Sequence, residues 1–180
     1  NGSFTNANLI DVDAQVSQGA SAIVFGSGFA DLLGTGADTV QNSDQFVITE
    51  GGRLEVDIDS TGNGNTAGLF ASQYGNDVDR TWTNNGTVIA NLSAENAYGF
   101  RADGSVSIQN AKDLTLTLTG TGNGVLTGVN FTDSATFNNN GDLTINLEGT
   151  ASEAVGITGG DLNVLENNGS LTVNVADTLD

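Results

Sequence analysis

The sequence predicts an all-β fold, a right-handed parallel β-helix (solenoid) of about six coils, and three observations carry that expectation. First, the segment 135–157 reads as three short strands joined by polar corners, and Leu143-Thr144-Ile145-Asn146-Leu147 within it alternates strictly between apolar and polar. Second, imperfect copies of this unit recur along the chain, with one turn position falling at Asn8, Gly52, Gly86, Lys112, Gly141 and Gly169. Third, when the copies are aligned on that position, apolar residues fall into columns. A sandwich or barrel would need hairpins with short turns between antiparallel neighbours, and repeating columns fit a stacked solenoid better.

The long strand of each copy supplies the strongest columns. Its inward residues are expected to be Ile10, Val12 and Ala14; Leu54, Val56 and Ile58; Val88, Ala90 and Leu92; Leu114, Leu116 and Leu118; Leu143, Ile145 and Leu147; and Leu171, Val173 and Val175. All are apolar in a chain that is only 37% hydrophobic. Four residues before the turn position stand Phe4, Ile48, Trp82, Ile108, Phe137 and Leu165, which extend the core onto the preceding strand.

Two residues before the turn position stand Asn6, Glu50, Asn84, Asn110, Asn139 and Asn167. Asn tolerates left-handed backbone, and its amide can bond both its own turn and the coil above, so a structural ladder of Asn6, Asn84, Asn110, Asn139 and Asn167 is expected at one corner. The third strand carries glycine at Gly68, Gly99, Gly128 and Gly156, with Gly26 as a fifth member, and glycine inside a strand marks a bend or a close backbone approach. The longest excursions, 27–44 and 72–80, are expected as loops on the outside of the stack.

The 180 residues suit one domain, 1–180, and the scarcity of large aromatic side chains suits a repeat fold, in which each coil buries only a narrow stripe. Neither end reads as an amphipathic helix or a polar cap, so both ends are expected to present an open strand edge. A net charge of −18 excludes nucleic acid and anionic membrane as partners, because phosphates would be repelled. No apolar run is long enough to span a bilayer.

Candidate chemistry is sparse. In the first two coils the outward residues of the long strand are Asp11 and Asp13, then Glu55, Asp57 and Asp59. Stacking would place Asp11 beside Glu55 and Asp13 beside Asp57, and oxygen-only clusters suit Ca²⁺, so these four residues are the candidate metal ligands. The alternative is a solvated acidic face. Without His or Cys, and with a single Lys, catalysis would have to rest on carboxylates and arginines. Arg53, Arg80 and Arg101 fit better as local charge compensation, and no enzyme activity is expected.

Units such as Thr83-Asn84-Asn85-Gly86-Thr87-Val88 followed by Ala97-Tyr98-Gly99-Phe100 resemble the repeats of bacterial autotransporter passengers and related surface β-helices. Asn139-Asn140-Gly141 with Ala154-Val155-Gly156-Ile157, and Asn167-Asn168-Gly169-Ser170-Leu171, repeat the pattern, and the resemblance covers roughly 46–175. It implies secretion to the bacterial cell surface and a stalk that displays adhesive or, less often, enzymatic loops. The resulting expectation is an extracellular structural or adhesive protein that associates with itself, with a host or cell-surface glycan or protein as a further partner. A carbohydrate-active β-helix and a passive stalk are the alternatives.

Overall fold

Three parallel sheets wrap a narrow core in the computed structural model, which describes residues 3–16, 21–27, 37–42, 45–60, 62–72, 80–102, 105–132, 134–160 and 164–176. The first coil comprises β1 (Ser3–Asn6), β2 (Leu9–Val16) and β3 (Ser21–Ser27), and an additional strand, β4 (Ala37–Asn42), follows it. The second coil is β5 (Gln45–Ile48), β6 (Arg53–Ser60) and β7 (Thr66–Ser72). The third is β8 (Arg80–Asn84), β9 (Thr87–Ala94) and β10 (Asn96–Ala102). The fourth is β11 (Val106–Asn110), β12 (Asp113–Thr121) and β13 (Val125–Phe131), and the fifth is β14 (Ala135–Asn139), β15 (Asp142–Thr150) and β16 (Glu153–Gly159). A sixth contributes β17 (Val164–Asn167) and β18 (Ser170–Val175).

Strands of equal rank pair only with each other, always parallel. The sheet orders are β1-β5-β8-β11-β14-β17, β2-β6-β9-β12-β15-β18 and β4-β3-β7-β10-β13-β16. The chain is therefore a parallel β-helix. The six expected coils resolve into five that serve all three sheets and a sixth that, among the described residues, serves two.

The long-strand columns lie in the expected register from end to end. Ile10, Leu54, Val88, Leu114, Leu143 and Leu171 pair in series, as do the two columns that follow them. Burial alternates along β6, β9 and β12 because successive side chains point to opposite faces. Inside, Phe25, Phe46, Phe70, Phe100 and Phe137 form a chain of ring contacts with centroids 5.1–6.2 Å apart. Trp82 packs edge-on against Phe100 at 4.8 Å.

Three expectations need correction. In the second coil the aromatic column runs through Phe46, not Ile48, because Phe46 pairs with both Phe4 and Trp82. The corner there is two residues longer than its neighbours: four residues separate β5 from β6, and two separate β8 from β9. A tight turn absorbs the extra length, with the Gly52 amide donating to the Thr49 carbonyl at 2.9 Å and Gly51 at a φ of 79°.

On the third strand, Gly99, Gly128 and Gly156 share one level, but Gly68 and Gly26 do not. Gly68 pairs with Tyr98, and Gly26 with Ala71, so Val24 and Leu69 occupy the level of the glycines. A Cβ on Gly99 would come within 2.4 Å of Leu116 and 2.5 Å of the Gly128 carbonyl. Alternation breaks at this level in β10, where Gly99 and Phe100 both face inward, so the strand bends within its own sheet.

The excursion 27–44 is not wholly a loop. Its residues 37–42 form β4, which pairs with β3 on the side away from β7. Residues 28–36, 43–44 and 73–79 lie outside the described residues.

Candidate functional site

The asparagine corner is a working ladder. The Nδ2 of Asn84 donates to Oδ1 of Asn110 at 2.8 Å, Asn110 donates to Asn139 at 2.7 Å, and Asn139 donates to Asn167 at 2.7 Å. Each amide also reaches a backbone carbonyl of the next coil, at Asp113, Asp142 and Ser170 respectively. The Asn84 oxygen in turn accepts the Gly86 amide at 3.0 Å, which closes its own turn. Asn84, Asn110 and Asn139 are buried, so these bonds satisfy groups that would otherwise be stranded away from water.

Asn6 stands apart from the ladder. Ile48, not Glu50, occupies its level in the second coil, because of the longer corner. Asn6 still donates to the Arg53 carbonyl at 3.0 Å and accepts from the Asn8 amide at 3.0 Å, the same two backbone roles that Asn84 performs. At the other end Asn167 is exposed and donates to the carbonyl of Gly169, within its own corner, at 3.2 Å.

One feature here was not singled out from sequence. Asn65 and Asn96 serve a second corner: the Asn65 Nδ2 donates to Ser60 Oγ at 3.0 Å, and the Asn96 Oδ1 accepts the Val125 amide at 3.1 Å. On the outer face, Asn174 donates to Asn146 at 2.8 Å and Asn146 to the Thr117 hydroxyl at 3.3 Å. Asn96 pairs with Thr66 and not with Asn65, so the two asparagines share no column that the sequence alone would mark.

Stacking brings the acidic residues together in pairs. Asp11 pairs with Glu55 and Asp13 with Asp57, as expected, and Asp11, Glu55 and Asp57 line one shallow depression with Ile89 and Asn91. The guanidinium of Arg53 bonds the Glu55 carboxylate. Among the described residues, no three carboxylates converge on a point that could hold a metal ion. The reason is geometric: side chains on one face of a parallel sheet project side by side and do not close around a centre.

The last coil differs from all others in exposure. Leu171, Val173 and Val175 are 37%, 41% and 54% exposed, whereas their column partners Leu143, Ile145 and Leu147 are buried. Leu165 is 51% exposed where Phe137 beneath it is buried. At the opposite end Phe4, Ile10, Val12 and Ala14 are half-buried against the core.

The chain matches no known protein family, no curated protein and no solved structure.

Proposed function

We propose that this chain is an extracellular structural or adhesive protein of the bacterial cell surface that associates with itself through the ends of its solenoid, building filaments or a layer. One observation carries the reading. Apolar columns that are buried through the body of the stack emerge into solvent at Leu165, Leu171, Val173 and Val175. The backbone groups of β17 and β18 on the same side have no strand beyond them among the described residues. Such an edge is a template for another strand, and the exposed side chains add a hydrophobic drive to pairing. Ca²⁺ held between the acidic faces of neighbouring assemblies, at Asp11, Asp13, Glu55 and Asp57, belongs to the same proposal, because Asp11 stacks beside Glu55 and Asp13 beside Asp57 and oxygen ligands suit that ion. A surface glycan or protein is the proposed external partner.

Electron microscopy of the purified chain, with calcium and with chelator, tests this. The expected result is filaments in both conditions, with side-by-side bundling that chelator dissolves. Uniform small particles throughout would sink the self-association reading. Bundles indifferent to chelator would remove calcium from it.

A further inference from the structure

We infer, building on the self-association proposed above, that copies of this chain stack head to tail in continuous register. In that arrangement β1, β2 and β4 of one copy pair with β17, β18 and β16 of the next. The two ends have complementary steps. At one end β17 and β18 stand one level beyond β16, which pairs with the fourth-coil strand β13. At the other, β4 stands one level beyond β1 and β2, outside β3. Among the described residues each sheet consequently contains six strands, and a shift of six strand spacings sets the first strand of every sheet against its last. A single translation closes all three sheets at once.

The apolar columns continue across the same junction in two of the three sheets, whereas in the third the register would set Asp38 opposite Ala154 and Gln41 opposite Ile157. Leu165 would meet Phe4, Leu171 would meet Ile10, Val173 would meet Val12, and Val175 would meet Ala14. The corners agree in length, since two residues separate β1 from β2 and two separate β17 from β18. The second coil, with four, would not fit there. Asn167, which turns to its own corner, would meet Asn6 at the level where each inner asparagine meets the next.

Charge favours this polarity over the others. The outward residues Asp11 and Asp13 would lie above Thr172 and Asn174, which are neutral. Head-to-head contact would bring the aspartates of two copies together. Tail-to-tail contact would set the projecting β17 and β18 of two copies against each other and leave both β16 edges unpaired. A head-to-tail contact of this kind does not close on itself and therefore propagates as a filament.

The chain has no cysteine, so crosslinking can read the register directly. Leu9 and Ser170 are outward, exposed positions at the starts of β2 and β18. Across the junction they would be in-register neighbours, about 4.8 Å apart, within the Cα separation of about 4.4–6.8 Å that a disulfide spans. Leu9→Cys and Ser170→Cys chains, mixed and oxidised, should give a mixed disulfide. Neither alone should give a covalent dimer, and the offset pair Asp11→Cys with Ser170→Cys should crosslink severalfold less. Filaments of the unaltered chain should show an axial rise of about 29 Å per copy, six strand spacings of about 4.8 Å. Assembly that persists with a different rise, with homodimer crosslinks or with equal offset crosslinking would overturn the head-to-tail register and leave self-association standing. Single particles without crosslinks would overturn both.

Discussion

Asn110 shows how one polar residue holds a corner of this fold. Its amide donates upward to Asn139 and to the Asp142 carbonyl, while its oxygen accepts from Asn84 below. None of these groups can turn to water, because Asn84, Asn110 and Asn139 are all buried. Asn110→Leu keeps the volume and removes the network, leaving donors and acceptors unpaired on both sides. The expected cost is about 3 kcal/mol, from roughly 1–3 kcal/mol for each group left unsatisfied. In thermal unfolding followed by circular dichroism that should appear as a fall of roughly 6–12 °C in Tm. Asn167→Leu, at the exposed end of the same ladder, should stay within about 0.5 kcal/mol of the parent. Equal effects at the two positions would contradict burial as the cause.

At the scale of the element, the corners decide the register of the strands they join. Most corners pass from one asparagine to the next strand through two residues, as in Asn84-Asn85-Gly86-Thr87. Close packing explains the glycine: a Cβ at Gly86 would come within 2.1 Å of the Gly52 carbonyl, and one at Gly169 within 2.0 Å of the Gly141 carbonyl. The second coil departs from this with Ile48 at the asparagine level and a turn through Glu50 and Gly51. Removing Glu50 and Gly51 together with Ile48→Asn would leave Asn-Thr-Gly-Arg, the pattern of the regular corners. That variant should fold with a Tm at or above the parent, whereas Ile48→Asn alone should lower it, since the longer turn does not present the amide to the ladder. Thermal melts of the two variants side by side check the expectation.

The whole molecule is a one-dimensional stack in which each coil contacts only its neighbours, so its ends behave unlike its middle. Two opposing forces meet there. Exposed Leu165, Leu171, Val173 and Val175 favour the addition of another coil, and a net charge of −18 on each copy opposes it. Salt weakens the second force and leaves the first intact. Raising ionic strength from about 0.01 M to about 0.15 M shortens the Debye length from about 30 Å to about 8 Å. The concentration at which the chain assembles, read by light scattering or sedimentation, should therefore fall over that range. A rise would identify attraction between charged groups, and not apolar burial, as the driving force.

The alternation of Leu143 to Leu147 and its copies determined the fold class, because a strand with one buried face must place its apolar residues two apart, whatever surrounds it. The asparagine corner was legible for a similar reason: few other residues both tolerate the turn and bond the coil above. Tertiary structure alone decided the second coil, where Phe46 and not Ile48 joins the aromatic column, since an insertion of two preserves the alternation and hides the shift. It also moved the glycine level from Gly68 to Leu69, because a bend within a strand breaks the period that would have marked it. The strand β4 escaped the sequence reading because its six residues show no apolar alternation, and it is defined by the edge of β3 on which it lies. The pairing of Asp11 with Glu55 and Asp13 with Asp57 followed from register, but whether they converge did not. Periodicity specifies which face of a strand a side chain leaves from, and only the packed coils set what it then meets.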